Sequence, residues 1–267
     1  MKQRFYTFLI LLSGIIATSC DNLIEYSPYQ VILDGEKTKR NETAVADITA
    51  MSSETFTPFK IALIGDSHTY YDDFEDQITA INQMDSIDFV IHMGDLTLSG
   101  IHREFEWYGN IVDRLNRPLI TLIGNHDCLS NGEVMYREMF GAFNFTITYN
   151  HCRLVFFDDN IWERNVKDPD FEWLHSSLQG GDAFTHQLVL AHIQPWDGQF
   201  SMGNSYLYNQ IMEANHVSAS IHGHHHTFMY EKHYGKIPYL ITGDSTDREV
   251  VVIEVQQDTI LVNRKHI

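Results

Sequence analysis

The sequence predicts an α/β domain with two sheets, and two observations carry that expectation. First, short apolar runs each end in Gly followed by Asp or Asn, as in "FKIALIGD", "DFVIHMGD" and "PLITLIGNHD". Second, the segments between them, "YDDFEDQITAINQM" and "REFEWYGNIVDRL", carry apolar residues at helical spacing. Strands alternating with helices imply parallel strands, because right-handed crossovers bring the chain back to the same end of the sheet. Asp66, Asp95 and Asn125 stand 29 and 30 residues apart, about one βαβ unit. All three are therefore expected at one carboxyl edge, where open α/β sheets place their sites.

Ahead of that pattern the chain differs in kind. Lys2 and Arg4 precede an apolar stretch from Phe5 to Ala17, and small residues then lead to Cys20. Thirteen residues broken by Thr7, Ser13 and Gly14 fall short of the roughly 20 that a membrane span needs. They fit an export signal over residues 1–19. "ATSC" resembles a bacterial lipoprotein signal, with Ala17 where that signal usually has Leu. The resemblance implies a lipid anchor on Cys20 and a place in the cell envelope, periplasmic or surface-exposed. Residues 20–57 are polar, with one weak helical stretch near Asn41–Met51, and read as an extension or tether. The domain itself is expected over residues 58–267.

Downstream, "NFTITYNHCRLVFFDD" reads as a hairpin turning near Asn150. "DPDFEWLHSSL" opens a helix with Pro169 in its first turn. "THQLVLAHIQPW" is an apolar strand ending in His192, and "SYLYNQIMEAN" is helical. "VSASIHGHHH" is a further strand that delivers a histidine run to its end, and "KIPYLITGD", "REVVVIEVQQ" and "TILVNRKH" read as strands.

Composition narrows the function. A hydrophobic content of 43% and an aromatic content of 12% fit a folded core, not a disordered chain. There are 18 basic against 36 acidic residues, a net charge of −18. Removal of residues 1–19 would take Lys2 and Arg4 and no acid, leaving 16 against 36, or −20. No basic patch points to nucleic acid. An anionic substrate must instead be attracted by strong local positive charge, for which bound metal is the candidate. Besides Cys20 only Cys128 and Cys152 occur, which is no disulfide framework, and both read as free thiols.

The polar residues at the strand ends form five blocks: "GDSH" at 65–68, "GD" at 94–95, "GNHD" at 124–127, "AH" at 191–192 and "GHHH" at 223–226. A lone Gly-Asp is usually a turn, and a lone histidine is usually a satisfied polar side chain. Five such blocks, each closing an apolar strand, read as one site. Carboxylate, imidazole and amide together suit Zn²⁺, Mn²⁺ or Fe²⁺ better than the all-oxygen sites of Ca²⁺.

In order and content the blocks resemble the signature of the calcineurin-like metallophosphoesterases: D-x-H, G-D, G-N-H-[DE], H and G-H-x-H. The resemblance runs from about Phe59 to Ile267. It implies a four-layer αββα sandwich with two facing mixed sheets and a dinuclear centre of two divalent ions at the strand C-terminal ends. It also implies hydrolysis of small phosphate esters, mono- or diesters, by a metal-activated hydroxide. Carried over by residue, Asp66 and His68 would hold the first metal, and Asp95 would bridge both. Asn125 and His192 would hold the second, with His224 on the second metal and His226 on the first. His126 would be the general acid or a transition-state donor, with Asp127 orienting its ring.

Within the histidine run, His222 is expected in the core, and His225 should point outward by strand alternation. His92 is expected to be a buried hydrogen-bonding residue. His102, Arg103 and Trp196 follow the metal-bearing loops and are candidates for substrate contact. "GDLTL" lacks the nearby tyrosine ligand of the purple acid phosphatases, so no purple colour is expected. A competing reading is an exported lipoprotein that captures zinc through "HGHHH" without turnover. Such a scavenger has no use for His126 and Asp127.

Overall fold

A computed structural model describes residues 27, 29–31, 33 and 37–267. The expected export signal and Cys20 lie outside the described residues. The first half of the domain runs α1 (Arg40–Met51), β1 (Phe59–Ile64), α2 (Tyr71–Gln83), β2 (Phe89–His92), α3 (His102–Val112), β3 (Leu119–Thr121) and α4 (Gly132–Met139). The second half runs β4 (Phe145–Tyr149), β5 (Cys152–Phe157), α5 (Phe171–Ser177), β6 (His186–Ala191), α6 (Met202–Ala214) and β7 (Ala219–His222). It closes with β8 (Met229–Glu231), β9 (Tyr239–Ile241), β10 (Glu249–Val255) and β11 (Ile260–His266).

Two mixed sheets result, ordered β11-β10-β1-β2-β3 and β4-β5-β6-β7-β9-β8. β1, β2 and β3 are parallel, as are β5, β6, β7 and β9. β10 and β11 of the first sheet and β4 and β8 of the second pair antiparallel.

Strand alternation sorts the side chains into three cores. Ile61 and Leu63 of β1 face Leu154, Leu188 and Leu190 of the other sheet. Their neighbours Ala62 and Ile64 point outward, onto Phe74 and Ile78 of α2 and Phe105 and Tyr108 of α3. On the far side, Val155, Phe157 and Val189 pack on Leu174 of α5 and on Tyr208 and Met212 of α6. Helix, sheet, sheet and helix make the four layers. Both faces of the inner strands are buried, which is why they read as continuous apolar runs.

α1 is packed on the domain. Ala44 and Ile48 join the core between the sheets. The Asn41 amide donates to Thr121 O at 2.9 Å and accepts from Thr121 N at 3.0 Å. It thus covers the open edge of β3 much as another strand would. The hairpin turns at Asn150 and His151, both left-handed with φ of 46° and 62°, as a two-residue turn requires. One expectation shifts: α5 starts at Phe171, with Asp170 accepting from Trp173 N, so Pro169 precedes the helix.

Candidate metal centre

Five of the seven candidate ligands sit in the left-handed backbone region: Asp66 (φ 50°), His68 (43°), Asp95 (55°), His224 (66°) and His226 (55°). That region is uncommon for residues with a side chain and clusters at functional sites. Backbone bonds lash the loops together. Asp66 N donates to Gly94 O at 3.0 Å, His68 N to Asp95 O at 3.1 Å, and Gly223 N to His192 O at 3.0 Å. The close approach also explains a motif glycine. A Cβ on Gly124 would lie 2.2 Å from Asp95 N and Asp95 Oδ1.

These turns gather the ligand atoms into two groups that share Asp95. One holds Asp66, His68, Asp95 and His226; the other holds Asp95, His192 and His224; within each, the atoms lie within 4.8 Å of one another. Asn125 Oδ1 joins the second group, 3.0 Å from His224 Nδ1 and 3.2 Å from His192 Nε2. All seven candidate ligands therefore meet at the carboxyl ends of the strands.

The loop around Asp95 also orients three imidazoles. His192 Nδ1 donates to Met93 O at 2.7 Å, His68 Nδ1 to Thr97 O at 3.1 Å, and His126 Nδ1 to Leu98 O at 2.7 Å. A carbonyl only accepts, so Nδ1 carries the hydrogen and Nε2 of the neutral ring carries a lone pair. His192 Nε2 lies 3.3 Å from Asp95 Oδ2, and His68 Nε2 lies 3.7 Å from it. That oxygen is buried and has no hydrogen-bond partner among the described residues. Lone pairs aimed at a buried carboxylate call for a cation between them. Burial opposes the charge on Asp95, yet His192 beside it holds the carboxyl well below the usual carboxylate range. Burial also opposes charge on His192, and Asp95 outweighs it, pushing the imidazole up to about 10.

The remaining histidines separate, although the run beyond β7 is not extended, with His224 and His226 left-handed, so strand alternation is not what exposes His225. His222 is fully buried, bonded to Ser220 Oγ at 2.8 Å and stacked on Tyr239, and burial takes it down to about 3. His92 is likewise buried and bonded to Ser67 Oγ at 3.1 Å. His225 is exposed. His126 is half-buried beside the first group, its ring edge-on to His68 with centroids 4.7 Å apart.

Asp127 requires a correction, because it does not orient His126, whose Nδ1 is taken by Leu98 O. Its carboxylate accepts from Gly124 N, Leu96 N, Thr97 N and Thr97 Oγ1, at 2.9 to 3.2 Å, and so ties two ligand loops together. Burial, then the nearby Asp95 charge, pushes Asp127 up to about 7.

Of the substrate-contact candidates, His102 is buried, Arg103 pairs with Glu106 and lies over Trp107, and Trp196 stacks on His233. Cys128 and Cys152 are buried free thiols, and burial pushes both up, which makes neither a nucleophile.

Three acidic residues behind the ligands escaped the sequence reading. Asp197 Oδ2 lies 3.5 Å from His224 Nε2, and Asp244 Oδ2 lies 3.4 Å from His226 Nδ1. Glu163 Oε1 accepts from Asn125 Nδ2 at 2.9 Å. Asp244 was findable, since "YLITGD" ends in Gly-Asp as the strands before Asp66 and Asp95 do. Asp197 and Glu163 lie in loops with no such pattern.

A metal-dependent phosphoesterase is the class of protein that this fold and these paired groups define. The profile of the calcineurin-like phosphoesterases matches residues 59–228, more than half of the chain, and the chain belongs to that family. Comparison with curated proteins gives no match. Among solved structures, a dimetal phosphatase of Danio rerio aligns with a TM-score of 0.62 at 12% identity, over 78% of this chain and 96% of that one. A purple acid phosphatase from yellow lupin (Lupinus luteus) aligns at 0.61 and 14%, over 79% of this chain; the match spans only 52% of the lupin protein. An anchor protein of the inner membrane complex of Plasmodium aligns at 0.58 and 12%, over 78% and 84%. These likenesses concern the fold. Because phosphatases and an anchor share it, function has to be argued from the site.

Proposed function

We propose that this chain hydrolyses small phosphate esters at a two-metal centre. The observation that carries this reading is Asp95, a buried carboxylate common to both ligand groups, with an unpartnered oxygen faced by imidazoles of each. The donor set fits borderline divalent ions such as Mn²⁺, Fe²⁺ or Zn²⁺. Asp66, His68, His226 and Asp95 would hold one ion; Asp95, Asn125, His192 and His224 would hold the other. Two such ions would supply a nucleophile from water near neutral pH and neutralise phosphate oxygens. In a chain of net charge −18 they also supply the local attraction that an anionic ester needs.

The residues around the centre then divide the work. Met93, Thr97 and Leu98 fix the imidazole tautomers through their carbonyls. Asp127 keeps the Asp95 and Asn125 loops in register. His126 is not needed as a ligand, and with Nδ1 given to Leu98 O, Nε2 is the nitrogen that would serve the departing oxygen of the ester. A half-buried imidazole placed there favours turnover over metal capture. Export and lipidation through Cys20 complete the proposal; wild type should enter the detergent phase on partitioning, and Cys20→Ser should not.

The direct test is a panel of phosphate mono- and diesters assayed with added Mn²⁺ after dialysis. Metal-dependent cleavage of at least one class is expected. Metal retention with no turnover of any ester would instead favour capture.

A further inference from the structure

We propose that Glu163 is a positioning residue for the second metal: it turns the Asn125 amide oxygen toward that ion and places a negative charge behind it. The proposal rests on the two-metal reading above. A primary amide has two faces of similar shape and opposite polarity. At Asn125 the neighbours choose between them. Nδ2 donates to Glu163 Oε1 at 2.9 Å, while Oδ1 lies 3.0 Å from His224 Nδ1 and 3.2 Å from His192 Nε2. A carboxylate only accepts, so a flipped amide would set oxygen against oxygen and turn its NH₂ group on the ligand atoms. Asn125 is buried, with 7% exposed, so water is a poor substitute partner. Among the described residues no other group takes the Nδ2 hydrogens.

The charge balance gives Glu163 a second task. The first ligand group contains two carboxylates, Asp66 and Asp95, whereas the second has Asp95 alone beside a neutral amide and two imidazoles. A carboxylate bonded to the far side of that amide polarises its oxygen toward a cation. The loop bearing Glu163 is fastened for this purpose. The adjacent Arg164 pairs with Asp158, lies 3.3 Å from Glu133 and covers the ring of Phe143.

The test measures binding of each ion by Co²⁺ titration of metal-free protein, with the melting temperature of the metal-free form as a folding control. Glu163→Ala should weaken the second ion about 10–100-fold and leave the first within a few-fold. Glu163→Gln keeps an acceptor oxygen without the charge and should fall between that variant and wild type. Asn125→Asp sets two carboxylates face to face and should bind poorly, whereas Asn125→Asp with Glu163→Gln should recover, because the glutamine can donate. Wild-type affinity for both ions in Glu163→Ala would overturn the proposal, as would an Asn125→Asp defect indifferent to residue 163. A wild type that takes up fewer than two ions overturns the two-metal reading itself, and this proposal with it.

Discussion

His192 gives its Nδ1 hydrogen to the carbonyl of Met93, 2.7 Å away, and thereby turns Nε2 toward Asp95 Oδ2 at 3.3 Å. Without a metal ion, a proton on Nε2 takes the neutralising role, which is why Asp95 pushes His192 up to about 10 from the usual 6.5. A group raised on folding lends stability that is complete below its unfolded pKa and is lost as pH rises toward the folded one. His226, raised by its bond to Asp66, works in the same direction. Metal-free protein should therefore melt at a lower temperature at pH 8.5 than at pH 7.0, by calorimetry. Loading with a divalent ion should release protons into weakly buffered solution. A melting temperature flat across that range, with no proton release, would contradict the pairing.

The histidine run should respond unevenly. His224→Ala and His226→Ala should each lower metal content and most activity, and His225→Ala should change little. His222→Ala should keep its metal yet lose about 2–4 kcal/mol of stability, the cost of a cavity in a buried layer. Denaturant melts and metal analysis on the same four proteins separate these effects. Equal metal loss from all four would favour a loose histidine sponge.

Asp127 is expected to act as a structural tie. Asp127→Asn brings an NH₂ group among four donors and leaves buried N–H groups unpaired, at about 1–3 kcal/mol each. The variant should melt at a markedly lower temperature and hold metal poorly. Full stability with only kcat reduced would restore a role through His126.

His126 matters most where the leaving oxygen is a poor anion. His126→Ala should keep both metals and slow alkyl phosphate esters by about 10²–10⁴-fold, with a much smaller loss on p-nitrophenyl esters. Equal losses on both classes would make it a charge stabiliser instead.

Most of the site was legible because its residues close apolar strands, and strand ends converge in a parallel α/β sheet. Asp66, Asp95 and His192 stand at such ends, whereas His224 and His226 are singled out of their run only by its resemblance to the family's G-H-x-H block. The supporting partners were less visible. Met93, Thr97 and Leu98 act through main-chain carbonyls, which any residue type provides. Asp197 and Glu163 come from loops whose course is set by packing, so no spacing reveals them. Asp127 lies in the expected block but keeps different partners. Adjacency in sequence to His126 does not make the two side chains touch, and backbone amides claimed the carboxylate. α1 was visible as a weak helix, but its attachment through Asn41 to β3 depends on a contact 80 residues away.

Metal analysis of dialysed wild type and Asp95→Asn tests most directly whether Asp95 bridges one centre of two ions. Wild type should carry two divalent ions per chain, and the variant should have lost at least one, because a charge shared by both has been removed. Two ions retained in Asp95→Asn would contradict the bridging role.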